Sequence, residues 1–223
     1  MTFRVLDKKG NVIKDYSTPA NYYYYGIQSV GAGRFYAVTQ SDLFVPVTSF
    51  LQHIILNKNG FTVLRSLANL GVPFWWGVAS DGKDIYHTYY RDVAPDYLLR
   101  IIKRNKLGNL INRNTALGGT DRDYVYLCFD GRYFWLTDYR NRNLLKFDWA
   151  NQQLIDTVNV GRSSYDICFD GRVFYAVSNL TDIFGNNSID VIDRKGNIIN
   201  TISAGGGYWY GITTDGKYLY LTN

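Results

Sequence analysis

The sequence predicts an all-β fold: a single five-bladed β-propeller of four-stranded antiparallel blades, with the closing blade shared between the N- and C-terminal strands. Three observations predict it. A short hairpin motif recurs along the chain at the spacing of a propeller blade. Apolar residues do not follow the 3.6-residue period of an amphipathic helix. The composition suits packed strands, with 17% aromatic and only 19% charged residues.

The motif is an Asp-Gly turn between two apolar runs. Its clearest copies are Cys128-Phe-Asp-Gly-Arg-Tyr-Phe-Trp-Leu-Thr-Asp138 and Cys168-Phe-Asp-Gly-Arg-Val-Phe-Tyr-Ala-Val-Ser-Asn179. Asp215–Asn223 and Asp81–Tyr89 are further copies, and Gly31–Gln40 is a degenerate fifth. The Asp-Gly pairs at 81, 130, 170 and 215 stand 49, 40 and 45 residues apart. Gly permits the positive φ of a tight hairpin, and Asp tolerates it. The strand after the turn is apolar on both faces, as in Tyr218-Leu-Tyr-Leu221, which fits burial between neighbouring blades. It ends on a hydroxyl column: Thr39, Thr88, Thr137, Ser178 and Thr222.

A second hairpin follows in each copy. Asp7-Lys-Lys-Gly10, Asn57-Lys-Asn-Gly60 and Asp193-Arg-Lys-Gly196 have the type I turn signature. Asp148–Asn151 is a looser copy, and Lys103–Asn109 reads as a longer one. Each blade therefore has strands a to d, with Asp-Gly between a and b. The chain begins at a strand c (2–6) and ends at a strand b (217–222). Residues 208–222 and 2–16 should form one blade and close the ring, which limits exposed strand edges. The other blades span about 22–66, 74–115, 123–158 and 164–202, so residues 1–223 read as one domain.

Charge and composition narrow the function. The net charge is +5 and the isoelectric point about 9.0, a modest basic bias without a basic tail. Nucleic acid is thus a weaker expectation than a protein or glycan partner. All 19 acidic residues are Asp, which excludes any mechanism that requires glutamate. Two cysteines make no disulfide framework, and two histidines without Cys-x-x-Cys give no metal site. No nucleophile elbow or phosphate loop occurs, and no cofactor is expected. No apolar run approaches 18 residues, so no membrane insertion is expected. The N-terminus reads as strand and turn rather than as a leader, which suggests a cytoplasmic protein. The Tyr- and Asn-rich, Glu-free composition also fits a virion-associated one.

The Asp-Gly-Arg/Lys-x-Phe/Tyr run ending in Ser/Thr-Asn resembles the repeat of NHL and YVTN-type β-propellers, whose members usually have more blades. In blade number the chain resembles tachylectin-type lectins and the catalytic domains of some glycosidases. Sugar-lactonase propellers have a similar repeat. The resemblance implies the fold and leaves the activity open. Those glycosidases and lactonases use a glutamate, which this chain lacks.

Candidate residues are those read against their repeat equivalents. Cys128 and Cys168 occupy one core position in adjacent repeats, too far apart for a disulfide. His87 stands in an aliphatic column (Val38, Leu136, Val177, Leu221), and His53 is placed at a strand edge or loop. The inner strands carry three columns: Tyr24, Trp75, Tyr124, Ser164, Trp209; then Tyr25, Trp76, Val125, Tyr165, Tyr210; then Gly26, Gly77, Tyr126, Asp166, Gly211. Such aromatics pack between blades or stack on sugar rings or nucleobases. Asp166, a lone carboxylate among glycines, is expected to face the channel.

The face carrying the d-to-a and b-to-c loops also collects Arg91, Arg122, Arg140, Arg142 and Arg162 with Tyr139, a patch for an anionic partner or a set of solvated ion pairs. The apolar segment 41–51 presents Phe44, Val45 and Phe50 to a partner or covers the channel. The expected ligand residues are thus Trp75, Arg91, Arg122, Tyr139, Arg140, Arg142, Arg162, Asp166 and Trp209. The opposite face, with Lys8, Lys9, Lys58, Lys106, Arg194 and Lys195, reads as solvated turns. A non-catalytic binding propeller is the leading reading, with a lectin-like propeller and a hydrolase or lactonase of unfamiliar design as alternatives.

Overall fold

The computed structural model describes residues 1–19, 22–41, 49–71, 77–91, 98–113, 117, 126–179 and 187–223. Every regular element among them is a strand. The chain opens with β1 (Thr2–Asp7) and β2 (Val12–Ser17). The first complete blade follows: β3 (Tyr22–Ser29), β4 (Arg34–Ser41), β5 (Ser49–Asn57) and β6 (Gly60–Gly71). The second holds β7 (Val78–Ser80), β8 (Ile85–Arg91), β9 (Leu98–Arg104) and β10 (Leu110–Arg113). The third holds β11 (Leu127–Phe129), β12 (Phe134–Asp138), β13 (Asn143–Asp148) and β14 (Gln153–Asn159). The fourth holds β15 (Ser164–Phe169), β16 (Phe174–Asn179), β17 (Asn187–Ile192) and β18 (Ile198–Ser203). The chain ends with β19 (Gly211–Thr214) and β20 (Tyr218–Thr222).

Each blade is one antiparallel sheet in sequence order, except the fifth, whose order is β19-β20-β1-β2. There β1 pairs with β20 from Phe3↔Thr222 to Asp7↔Tyr218, which joins the two ends of the chain in one sheet. The inner strands β3, β7, β11, β15 and β19 contact one another in turn, and β19 returns to β3. The result is the five-bladed propeller that the repeat predicts, with its split closing blade.

The repeat residues hold this ring by a few recurring devices. In the third blade the Thr137 hydroxyl accepts the Tyr126 N–H at 3.1 Å and donates to the Tyr165 carbonyl of the next blade at 3.0 Å. Thr222 donates likewise to the Tyr24 carbonyl at 2.8 Å. At these two positions the hydroxyl staples an inner strand to its neighbour, where an aliphatic residue would leave buried backbone groups unpaired, whereas Thr39 donates to the Phe50 carbonyl of its own blade.

The Asp-Gly aspartates form a second device. Oδ1 of Asp130 accepts the Arg132 and Tyr133 amides, and Oδ2 accepts the Trp135 indole N–H at 2.8 Å. Asp81, Asp170 and Asp215 repeat this with Tyr86, Tyr175 and Tyr220, each five residues on. Burial pushes each of these carboxyls up, but the hydrogen bonds outweigh it and leave all four below the usual carboxylate range. The motif's Asp is therefore a turn-former that anchors an aromatic ring between blades.

Three expectations are corrected here. β5 begins at Ser49, so Phe50 is a strand residue paired with Thr39 rather than part of a loop. Its ring lies edge-on to Tyr22, with centroids 6.4 Å apart. The same strand carries His53 at its centre, half-buried, rather than at an edge. The turn near residue 105 is not longer than the others. Asn105 Oδ1 accepts the Leu107 and Asn109 amides, as Asp193 does with Lys195 and Asn197, because β9 continues through Arg104.

Candidate functional site

The site begins with the third inner-strand column, which lies nearest the axis. Gly77 and Gly211 leave no room for a side chain there: a Cβ on Gly77 would lie 2.6 Å from the Leu127 nitrogen, and one on Gly211 would lie 2.6 Å from the Tyr25 carbonyl oxygen. The equivalent positions in the third and fourth blades carry Tyr126 and Asp166, which are 0% and 2% exposed. Three small and two large residues therefore share the centre of the ring.

Asp166 is tied to backbone on three blades. Oδ1 accepts its neighbour Ile167 N–H at 2.8 Å, and Oδ2 accepts the Ile212 N–H of the fifth blade at 2.9 Å. The Ile27 amide of the first blade also donates to it. Burial pushes this carboxyl well above the usual range, against the pull of the three amides. Tyr126 comes from the third blade, yet its hydroxyl is near Asp166 and the hydroxyls of Tyr25, Tyr210 and Tyr165. Its hydroxyl is therefore within electrostatic reach of residues from the first, fourth and fifth blades. Burial first, then these neighbours, raise its pKa well above that of a free phenol.

Above this plug runs an arc of half-buried tyrosines. Tyr23 and Tyr25 have ring centroids 6.2 Å apart, Tyr25 and Tyr210 5.5 Å, Tyr210 and Tyr165 5.9 Å, and Tyr165 and Tyr139 5.0 Å. The arc spans the first, fifth, fourth and third blades. It ends at the turn Asp138–Asn143, where the Asp138 carboxylate takes the backbone and side-chain N–H groups of Asn141. This turn presents Arg140 and Arg142, both exposed, with Arg142 at φ +59°.

The remaining sequence candidates fall in different places. Arg162 is engaged by the buried Asp190 at 2.9 Å, and Asp190 also accepts the Thr201 hydroxyl at 2.8 Å. Trp209 is 1% exposed; its indole donates to the Gly205 carbonyl and the Arg4 guanidinium covers its ring at 4.8 Å, so no face is left for a ligand. Trp75, Arg122, Phe44 and Val45 lie outside the described residues, as does the Arg91 side chain. Cys128 and Cys168 are free and buried, and burial raises both thiol pKa values well above the ordinary one. His87 is fully buried and accepts the Arg104 Nε–H at 2.9 Å. Among the described residues no group of three or more His, Cys or Asp side chains is placed to hold a metal ion. No helix of the described residues is long and apolar enough to cross a membrane.

Sequence reasoning singled out Asp166 but passed over Tyr126, although both break the same glycine column. It also read Tyr25, Tyr165 and Tyr210 as either packing or stacking residues and did not place them among the expected ligand residues. They do pack, but each keeps part of its surface in solvent.

Neither a family model nor a curated protein sequence matches the chain. Solved structures do resemble it. Glutaminyl cyclase of Myxococcus xanthus superimposes with a TM-score of 0.68 at 16% identity, covering 99% of this chain and 96% of that one. A chain of a nidogen/laminin complex gives 0.58 at 13% identity, covering 99% and 84%. At such identities the likeness is one of fold, and it places this chain among proteins of propeller architecture.

Proposed function

We propose that the protein is a non-catalytic binding propeller that engages its partner through the tyrosine arc and the Arg140–Arg142 turn. The observation that carries this reading is the combination of a plugged axis with a half-exposed aromatic rim. Among the described residues the carboxyl at the axis, Asp166, is sealed and committed to backbone amides, so it is poorly placed to move a proton on a substrate. The rim offers what a binding surface uses: rigid rings with polar tips, flanked by guanidinium groups.

A glycan is the second reading. It is favoured by the arc itself, since successive tyrosines 5–6 Å apart, such as Tyr139, Tyr165 and Tyr210, offer ring faces and edges to a sugar chain. The test is a binding panel of neutral glycans, carboxylated glycans and acidic peptides, run on the wild type, Tyr165→Ala, Tyr210→Ala and Arg140→Ala. A ligand that binds the wild type and loses about tenfold or more in affinity with each tyrosine variant supports the proposal. Selective loss with Arg140→Ala assigns the partner as anionic. The similarity to a glutaminyl cyclase supplies the opposing test: turnover by the wild type in a glutaminyl cyclase assay would overturn the non-catalytic reading.

A further inference from the structure

The repeat places an ion pair at successive blade junctions on the face opposite the tyrosine arc. At two junctions the second residue of the c–d turn reaches back to the Asp-Gly turn of the preceding blade, while the third blade has Trp149 at that turn position. Lys8 of the fifth blade binds Asp170 of the fourth at 2.5 Å, and Arg194 of the fourth approaches Asp130 of the third at 3.9 Å. Lys106 of the second blade holds the same turn position, after Asn105 as Lys8 follows Asp7 and Arg194 follows Asp193. It faces the a–b turn of the first blade.

That turn has lost its carboxylate. The Ser29 hydroxyl accepts the Gly31 N–H, as Ser80 does for Gly82 and Thr214 for Gly216. Val30 therefore stands where the other blades place Asp81 and Asp215. The Val30 amide closes its turn on the Arg34 carbonyl at 2.9 Å, as Asp130 does on Tyr133 at 3.0 Å, but with one more residue between. Gly31, Ala32 and Gly33 all take positive φ (+84°, +51° and +67°) to accommodate the insertion.

The cations, by contrast, are kept and increased. Ser29, Val30, Arg34, Tyr36, His53, Arg65, Ser80, Gly82 and Lys106 line a cleft of about 510 Å³. No Asp is among them. Among the described residues, no carboxylate pairs with Arg34, Arg65 or Lys106, and the buried His53 Nε2 has no hydrogen-bond partner. The His53 and Tyr36 rings pack at a tilt, with centroids 5.3 Å apart, on the cleft wall.

We infer that this cleft between the first and second blades binds a phosphoryl dianion, free or as a phosphomonoester, in the position where the other blades keep an aspartate. One carboxylate would leave the three cations, all exposed at the cleft, largely uncompensated, whereas a dianion matches them better. Guanidinium forks suit phosphoryl oxygens, and the His53 ring can donate a further bond. The cleft is larger than a phosphate group, which leaves room for the organic part of an ester.

The test is calorimetric titration at constant ionic strength with inorganic phosphate and, separately, phenyl phosphate. The proteins are the wild type, Lys106→Ala, Arg65→Ala and Val30→Asp. Saturable binding to the wild type is expected, weakened about tenfold by each cation variant. Val30→Asp restores the repeat's own carboxylate on an exposed turn; it should abolish binding and raise the unfolding midpoint. Tighter binding of phenyl phosphate assigns the site to esters, and equal binding assigns it to free phosphate. No saturable binding to the folded wild type, or wild-type affinity in both Lys106→Ala and Val30→Asp, overturns the inference.

Discussion

Asp166 Oδ2 accepts the Ile212 N–H at 2.9 Å across the seam between the fourth and fifth blades. With Ile167 and Ile27 as further donors, this one carboxyl serves amides from three blades at the axis. Replacing it should therefore be felt as a loss of ring closure rather than of a local contact.

Asp166→Ala leaves three buried amides without their acceptor, each costing about 1–3 kcal/mol. Asp166→Asn keeps one oxygen and should cost less. The pH dependence has a definite sign. The native carboxyl titrates well above the unfolded value of about 3.9, so the native state holds the proton after the unfolded chain has released it. Its contribution is full below about pH 4 and declines as pH rises toward the native pKa. Urea unfolding from pH 4 to 8 should show a shallower decline for Asp166→Asn than for the wild type. Parallel profiles would show that Asp166 does not titrate differently on folding.

The bond from the Trp135 indole to Asp130 at 2.8 Å predicts strong coupling between these residues. Asp130→Ala removes the acceptor of two amides and of the ring N–H. Trp135→Phe keeps most of the packing and removes only the ring donor. In a double-mutant cycle by denaturant unfolding, the pair should couple by about 0.5–3 kcal/mol. Additive effects would mean that the Asp acts on the turn alone. In the wild type this aspartate's contribution fades with acid, because its pKa is held below the unfolded value.

The blade plan was legible because turn chemistry is local. Asp130-Gly131 and Asp193-Arg-Lys-Gly196 each carry the residues that their hairpins need, so spacing alone counts the blades. The split blade followed from the phase of the repeat at the two ends, and the Phe3↔Thr222 to Asp7↔Tyr218 register shows it. The site was harder, because its meaning lies in contacts between distant residues. Arg162 looked available until Asp190, 28 residues on, was seen to hold it. Tyr126 looked like one more aromatic until its hydroxyl was placed near residues of three other blades. Lys106 looked like an ordinary solvated turn residue. Only the missing carboxylate at Val30, on a different blade, distinguishes it from Lys8 and Arg194.

Gly77 tests how tightly the axis is filled. A Cβ there would lie 2.6 Å from the Leu127 nitrogen and 2.7 Å from the Tyr126 Cα, backbone atoms that cannot swing aside. Gly77→Ala should therefore cost about 1–3 kcal/mol through overpacking, even though alanine usually favours order over glycine. Gly82→Ala offers a contrast: space is open around it, but φ is +86°, so its cost is backbone strain alone. Thermal unfolding of both variants would separate the two causes. In addition, Gly77→Ala should perturb the tyrosine near-ultraviolet circular dichroism and Gly82→Ala should not. An unchanged spectrum in Gly77→Ala would mean that Tyr126 is not locked against the neighbouring blade.

His87 gives the last prediction. Its Nε2 accepts from the Arg104 Nε–H, and arginine has only donors, so this nitrogen carries no proton and the ring is the neutral Nδ1–H tautomer. Burial and the Arg104 charge push its pKa down to about 3, well below the unfolded value of about 6.5. Between these values the unfolded chain binds a proton that the native state refuses. The stabilisation is therefore complete above about pH 6.5 and is lost as pH falls, by up to about 1.4 kcal/mol per pH unit. His87→Gln keeps an acceptor for Arg104 without the titration, so its stability should fall less between pH 6.5 and 4. In proton NMR the His87 ring signals should stay constant down to pH 4, while the His53 signals, with a pKa lowered by burial and by Arg65 and Arg34, should move. A His87 ring titrating near pH 6.5 would show that Arg104 does not donate to it in solution.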